Sequence, residues 1–306
     1  MIKGPLKALS AALISLLVIF YQISALSQNS SSLPPSFKNP QPSAVASFAP
    51  TIEVKIEQII QRPPGLFTQG LLFFKGALYE STGGYSNSAL WRWEFEPKNQ
   101  ILNRLKLKLE LTQIGPKPIF AEGLSQAGGF LYLLTWREGL AFKIEPNTLA
   151  VLERFNYQGE GWGLAYDGSV LWRSDGSNLL QSYSPRDFKP IGPPLAVFDG
   201  PMAVKNLNEL EYDQKEGLML ANVWHSQKVA AISLIDGRVL FWLDLSSLAH
   251  LESLNLNEPE AVLNGLAFDE RHRLWITGKL WPRLYRVSYK LNETLKGALN
   301  DHLKRP

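Results

Sequence analysis

Residues 159–173, GEGWGLAYDGSVLWR, pass through a polar–glycine cluster, a short apolar strand, an Asp-Gly turn and a second strand. Asp167-Gly168 between two strand-like runs is hairpin chemistry, because glycine supplies the positive φ such turns need. The opening cluster, Gly159-Glu160-Gly161-Trp162-Gly163-Leu164, has four counterparts, each followed directly by a strand. They are Phe67-Thr68-Gln69-Gly70-Leu71, Phe120-Ala121-Glu122-Gly123-Leu124, Leu207-Asn208-Glu209-Leu210 and Leu263-Asn264-Gly265-Leu266-Ala267. The clusters recur at roughly 40 to 56 residues, the length of a four-stranded propeller blade.

The rest of the body has the same texture. Short apolar or alternating runs at 71–80 (LLFFKGALYE), 104–111, 130–135, 218–223, 228–234 and 273–277 are bounded by turn residues, Asp236-Gly237 among them. No window of about 12 residues or more carries a helical period, apart from a weak one at 292–304. The reading is all-β: a five-bladed β-propeller over 51–290, then a C-terminal tail, 291–306. A β-sandwich is the alternative, but sandwiches demand no period. In a propeller, equivalent positions of successive blades surround a central channel. Gln69, Glu122, Trp162, Asn208 and Asn264 would therefore converge at one mouth.

The 306-residue chain has no cysteine, which excludes a disulfide scaffold, a thiolate metal site and a cysteine nucleophile. Its net charge is +3 and it has no Lys/Arg block, so no nucleic-acid partner is expected. Lys3 and Lys7 precede an uncharged apolar run at 8–26, and Ala25 and Ser27 fit a cleavage site. Residues 1–27 read as a cleaved signal or an uncleaved membrane anchor, both open. Residues 28–50, with five Pro and six Ser, read as a spacer. The body is expected to be exported, periplasmic or extracellular, and a monomer. Without disulfides it must be held by core burial, and Trp residues away from the mouth are expected to pack the blades.

Glu122, near the axis among aromatics, suits a general acid/base if burial raises its pKa. It could equally be satisfied by backbone N–H groups. Glu80, Glu160, Asp175, Glu209 and Glu211 compete with it, and sequence chemistry does not rank them. The amides of Gln69, Asn208 and Asn264 can hold a carboxamide, a peptide or an oxyanion, or can close turns. Trp136, Trp162 and Trp224 adjoin the polar clusters and could wall a slot. The six other Trp suit packing. Lys279, in Thr277-Gly278-Lys279-Leu280-Trp281-Pro282, is either a fixed pocket charge or a strand-end lysine; without GxxxxGK spacing it does not mark a nucleotide site. The four His form no HExxH pattern and no GxSxG elbow occurs. What remains is a metal-free, cofactor-free site suited to proton transfer and carbonyl polarisation.

The ordered string FTQGL (67–71), YESTGGY (79–85), FAEGL (120–124), LTW (134–136), GEGWGLAYDG (159–168), SDGS (174–177), LNELEY (207–212), ANVW (221–224), LNGLAFD (263–269) and TGKLWP (277–282) resembles the plant-type glutaminyl-peptide cyclotransferases. The resemblance spans about residues 52–290 and implies a five-bladed propeller. It also implies cyclisation of N-terminal Gln in peptides to pyroglutamate with loss of ammonia. Carried over by motif, Glu122 is the proton shuttle and Gln69 orients the substrate. Asn208 and Lys279 bind the carboxamide oxygen or peptide backbone. Phe67, Phe120, Trp136, Trp162 and Trp224 wall the slot, and Glu80 is a second acid near the amine. No cofactor is required; a structural Ca²⁺ is left open. At 84–88 (GYSNS) the chain departs from the family, where a Gly follows the Tyr. A non-catalytic propeller binding peptides or glycans, and a metal-dependent lactonase-like hydrolase, are the rival classes.

Overall fold

Strand follows strand through almost the whole described chain, as the turn spacing predicts. The computed structural model describes residues 47–304 except 97, 99–100, 112–117, 254–255 and 257. The expected leader, 1–27, and most of the spacer lie outside the described residues.

Strand β1 spans Thr51–Gln61, starting where the spacer was expected to end. One four-stranded sheet follows as β2 (Thr68–Phe74), β3 (Ala77–Thr82), β4 (Ala89–Glu94) and β5 (Leu105–Glu110). The next is β6 (Ala121–Ala127), β7 (Phe130–Thr135), β8 (Leu140–Ile144) and β9 (Val151–Asn156). A third is β10 (Leu164–Tyr166), β11 (Leu171–Arg173), β12 (Leu179–Tyr183) and β13 (Leu195–Ala196), followed by a small hairpin, β14 (Phe198–Asp199) and β15 (Met202–Ala203). Then come β16 (Leu207–Asp213), β17 (Leu218–Val223), β18 (Lys228–Ser233) and β19 (Val239–Asp244), helix α1 (Ser246–Ser253), β20 (Leu263–Phe268), β21 (Leu274–Gly278), β22 (Arg283–Tyr289) and helix α2 (Glu293–Leu303).

Strand β1 joins the two ends of the chain. Its first residues pair in parallel with β19, and Val54 onward pairs antiparallel with β22, fusing β16–β19 and β20–β22 into one eight-stranded sheet. The first strand of each repeat packs against the next in cyclic order: β2 on β6, β6 on β10, β10 on β16, β16 on β20, and β20 back on β2. The result is a propeller-like ring of sheets. Apolar side chains from facing sheets fill the gaps between them. Tyr79 and Leu90 meet Leu133 and Phe142 in one such layer, and Phe241 meets Leu266 and Trp281 in another. With no cysteine, this burial and the β1 pairing hold the ring closed.

Several Trp outside the mouth are spent on packing. Trp93, Trp275 and Trp281 are buried, and Trp91 stacks on Trp93 with ring centroids 5.5 Å apart. The Asp167-Gly168 and Asp236-Gly237 turns each connect paired strands. The run at 71–80 divides into β2 and β3 around Lys75-Gly76, both with positive φ, as a tight hairpin requires. Helix α2 falls where the weak period predicted it, whereas α1 was not expected. At two turns, with Asp244 Oδ1 accepting from Ser246 N at 2.9 Å, it is too short to show a period.

Candidate active site

The repeated cluster is where the inner strands lose register. The ladder slips between Thr68 and Gly70, Ala121 and Leu124, Leu207 and Leu210, and Leu263 and Leu266. The residues skipped include Gln69, Glu122, Asn208 and Asn264. A bulge frees a residue from the ladder and re-aims its side chain, which explains why these polar residues recur at this point of four of the five repeats; the β10 ladder, after Trp162, runs without a slip. The accompanying glycines let neighbouring strands approach. A Cβ on Gly123 would lie 2.5 Å from Leu164 N, and one on Gly163 would overlap the Asn208 carbonyl.

The released side chains connect around the axis. Asn264 Nδ2 donates to Thr68 O at 2.9 Å and to Gln69 Oε1 at 3.4 Å. Gln69 Nε2 in turn donates to Glu122 Oε1 at 3.1 Å. Glu122 is only 5% exposed. Burial pushes its carboxyl well above the usual carboxylate range, the Lys279 charge pulls it back, and Glu138 and Glu160 push it further up. Lys279 is also buried; burial lowers its ammonium while Glu122 and Glu260 oppose the shift. Asn208 Oδ1 is buried without a hydrogen-bond partner among the described residues, as is the indole N–H of Trp224.

An aromatic rim surrounds this centre. Phe67 meets Phe120 edge to face at 6.2 Å, and Phe120 meets Trp136 at 5.4 Å. Glu160 links the next two members: its Oε2 accepts from Trp136 Nε1 at 2.8 Å and from Trp162 Nε1 at 3.0 Å. Trp162 meets Trp224 edge to face at 5.7 Å. Beside Trp224 lies His225, 3.9 Å from Glu260, whose charge reaches Lys279. Lys279 Nζ stands 5.0 Å over the Phe67 ring and completes the circuit.

The structure thus links Glu122, Lys279, Gln69, Phe67, Phe120, Trp136, Trp162 and Trp224 through hydrogen bonds, ring contacts and longer-range charge interactions. Asn208 sits at the equivalent bulge of β16, with its carbonyl accepting from Ser174 Oγ at 2.6 Å. Glu80 is engaged elsewhere. It is fully buried, and its Oε1 takes Arg62 Nη1 at 2.9 Å and Thr68 Oγ1 at 2.7 Å. Arg62 also donates to Trp281 O at 2.9 Å, so the pair ties the segment carrying Phe67 to the one carrying Lys279.

The competing carboxylates differ in their partners. Glu209 and Glu211 accept from the backbone N–H groups of Leu266 and Phe268 on β20, at 2.9 and 2.8 Å. Asp175 caps Ser177. Glu160 serves two indoles and Arg137, whose Nε lies 3.0 Å away. Glu122 accepts one side-chain hydrogen bond among the described residues, and that from a mouth amide. The sequence did not reveal the bridging by Glu160, the Arg62 anchor, or Glu138 and Glu260 beside the mouth. The Gly-Glu-Gly spelling around Glu160 was the one available signal. No group of three or more His, Asp or Glu side chains among the described residues is arranged to hold a metal ion.

With this geometry in view, comparison with known proteins is specific. The family profile for glutamine cyclotransferase matches residues 26–289. A curated glutaminyl-peptide cyclotransferase from Arabidopsis thaliana is 34% identical over 241 residues, covering 78% of this chain and 72% of the plant protein. The crystal structure of Myxococcus xanthus glutaminyl cyclase superposes with a TM-score of 0.71 at 34% identity, covering 80% of this chain and all of that one. The chain therefore belongs to the glutamine cyclotransferase family.

Proposed function

We propose that the mouth around Glu122 cyclises the N-terminal Gln of peptides and proteins to pyroglutamate with release of ammonia, and that Glu122 carries the proton. The relatives' activity supports the reaction. The observation that carries the residue assignment is the buried carboxylate of Glu122, oriented by Gln69 inside an aromatic rim.

The substrate α-amine attacks the γ-carbonyl carbon of its own side chain. A C–N bond forms and the carbonyl electrons move onto oxygen. Ionised Glu122 takes a proton from the attacking amine and delivers it to the departing γ-nitrogen. The oxyanion collapses, the old C–N bond breaks and ammonia leaves. Lys279 stabilises the oxyanion, a task for which a fixed charge in a dry site is well suited. Asn208 holds the carboxamide, its unpartnered Oδ1 accepting from the amide N–H. The rim folds the Gln side chain back on its amine, which is an orientation effect. Every step uses groups of this chain, and no metal ion or cofactor is required.

The five-bladed count belongs to the same reading. It is supported by the cyclic order of β2, β6, β10, β16 and β20, with β1 completing the last blade from the opposite end of the chain. Export is supported by the apolar run behind Lys3 and Lys7. The deciding experiment is ammonia release from Gln-Ala with and without a chelator. Release that persists in chelator is expected. No release would leave a peptide-binding propeller, and release abolished by chelator would overturn the metal-free mechanism.

A further inference from the structure

A further aromatic ring borders this rim on the side of Phe120 and Trp136. Tyr85 is 44% exposed, whereas Phe120 and Trp136 beneath it are partly buried. Its ring meets Phe120 edge to face at 5.4 Å and lies tilted by 34° to Trp136 at 6.4 Å. It occupies the loop between β3 and β4. The loop is firmly seated: Gly83 N donates to Phe67 O at 2.9 Å and Ala121 N donates to Ser88 Oγ at 2.9 Å.

The contacts with Phe120 and Trp136 hold the Tyr85 ring in place. Burial, together with the charges of Glu138 and Glu122, holds the phenol above its ordinary pKa. Glu138, beside it, is anchored to the pocket wall, its Oε2 accepting from Phe120 N at 3.4 Å. A fixed, exposed aromatic face is a contact surface that costs little entropy to use.

We infer that Tyr85 is a specificity-determining platform that stacks the side chain of the residue following the N-terminal Gln, and that it favours an aromatic ring there. This rests on the cyclase reading. A Gln whose amine and carboxamide reach buried Glu122 must send the rest of the peptide outward past the rim. Tyr85 is where the aromatic wall continues into solvent, above Phe120 and Trp136. The opposite rim offers His225, whose ring is turned against Trp224 and Glu260.

The test compares kcat/KM for Gln-Phe amide and Gln-Gly amide, read as ammonia release, in the full folded protein and in Tyr85→Ala, Tyr85→Phe and His225→Ala. Wild type is expected to favour Gln-Phe by about 3- to 10-fold, the range of an aromatic contact. Tyr85→Ala should bring that ratio close to one, Tyr85→Phe should keep it, and His225→Ala should keep it. A wild-type ratio near one, a ratio unchanged in Tyr85→Ala, or a ratio lost in His225→Ala instead would overturn the platform while leaving the cyclase reading intact. Wild type inert on both amides would overturn the cyclase reading, and the platform with it.

Discussion

The side-chain amide of Gln69 donates Nε2–H to Oε1 of Glu122 at 3.1 Å, from a bulge on β2 to a bulge on β6, across 53 residues of sequence. Asn264 holds the other end of that amide from β20. Three inner strands therefore fix the orientation of one buried carboxylate.

The charges around Glu122 should move the pH dependence in opposite directions. Lys279 favours the ionised carboxylate, while Glu160 disfavours it. As a base, Glu122 must be ionised, so the rate rises with pH as its proton is lost. Lys279→Met removes the favourable charge, raises the pKa and moves the acid limb of kcat/KM to higher pH. Glu160→Gln lowers the pKa and moves the limb to lower pH. Using one substrate throughout keeps the titration of its own amine common to all three proteins.

Glu122 should cost the fold stability at neutral pH. In the unfolded chain its carboxyl ionises near ~4.3; in the fold, burial holds the proton to higher pH. Above the unfolded pKa the unfolded state releases a proton the folded state keeps, so stability falls as pH rises towards the folded pKa. Glu122→Gln lacks this penalty. It should unfold at a higher temperature than wild type at neutral pH, with the difference shrinking as pH falls through ~4. Thermal unfolding at the two pH values checks this, and a variant less stable than wild type at neutral pH would contradict it.

Glu80 should behave as an anchor. Removing one member of a buried ion pair strands its partner, at about 3–5 kcal/mol. Arg62 links Leu66, Thr68 and Trp281. Glu80→Ala should therefore lose about that much stability in chemical denaturation, together with activity through the displaced Phe67 and Lys279 segments. A Glu80→Ala protein of unchanged stability would show that the pair does not hold the mouth.

Asn208 should act on the transition state. If its amide holds the reacting carboxamide as charge develops, Asn208→Ala should lose about 10²-fold in kcat. A rise in KM with kcat intact would make it a ground-state binder.

Much of the fold was legible because the clusters at Gln69, Glu122, Trp162, Asn208 and Asn264 repeat, and because each sits at or beside the start of an inner strand. The same spacing nominated most of the mouth. Other features left no such trace. Strand β1 pairs with β19 and β22 from the far end of the chain, and a pairing of that sequence separation has no local pattern. Arg62 lies in a proline-rich turn outside every repeat, so its grip on Glu80 is visible only in three dimensions. Glu160 and Glu122 look alike in sequence, each followed by glycine. Two indole N–H groups satisfy Glu160, whereas Glu122 is left with one amide, and the difference lies in which neighbours the ring delivers.

The most direct test of the account is turnover by Glu122→Gln. Glutamine preserves the shape of the side chain and an acceptor for Gln69, but it cannot carry the proton. Ammonia release from Gln-Ala should fall by about 10²- to 10⁴-fold, the range of a positioned acid/base, in a protein whose circular dichroism matches wild type. A folded Glu122→Gln protein that releases ammonia at the wild-type rate would contradict the assignment of Glu122 as the proton shuttle.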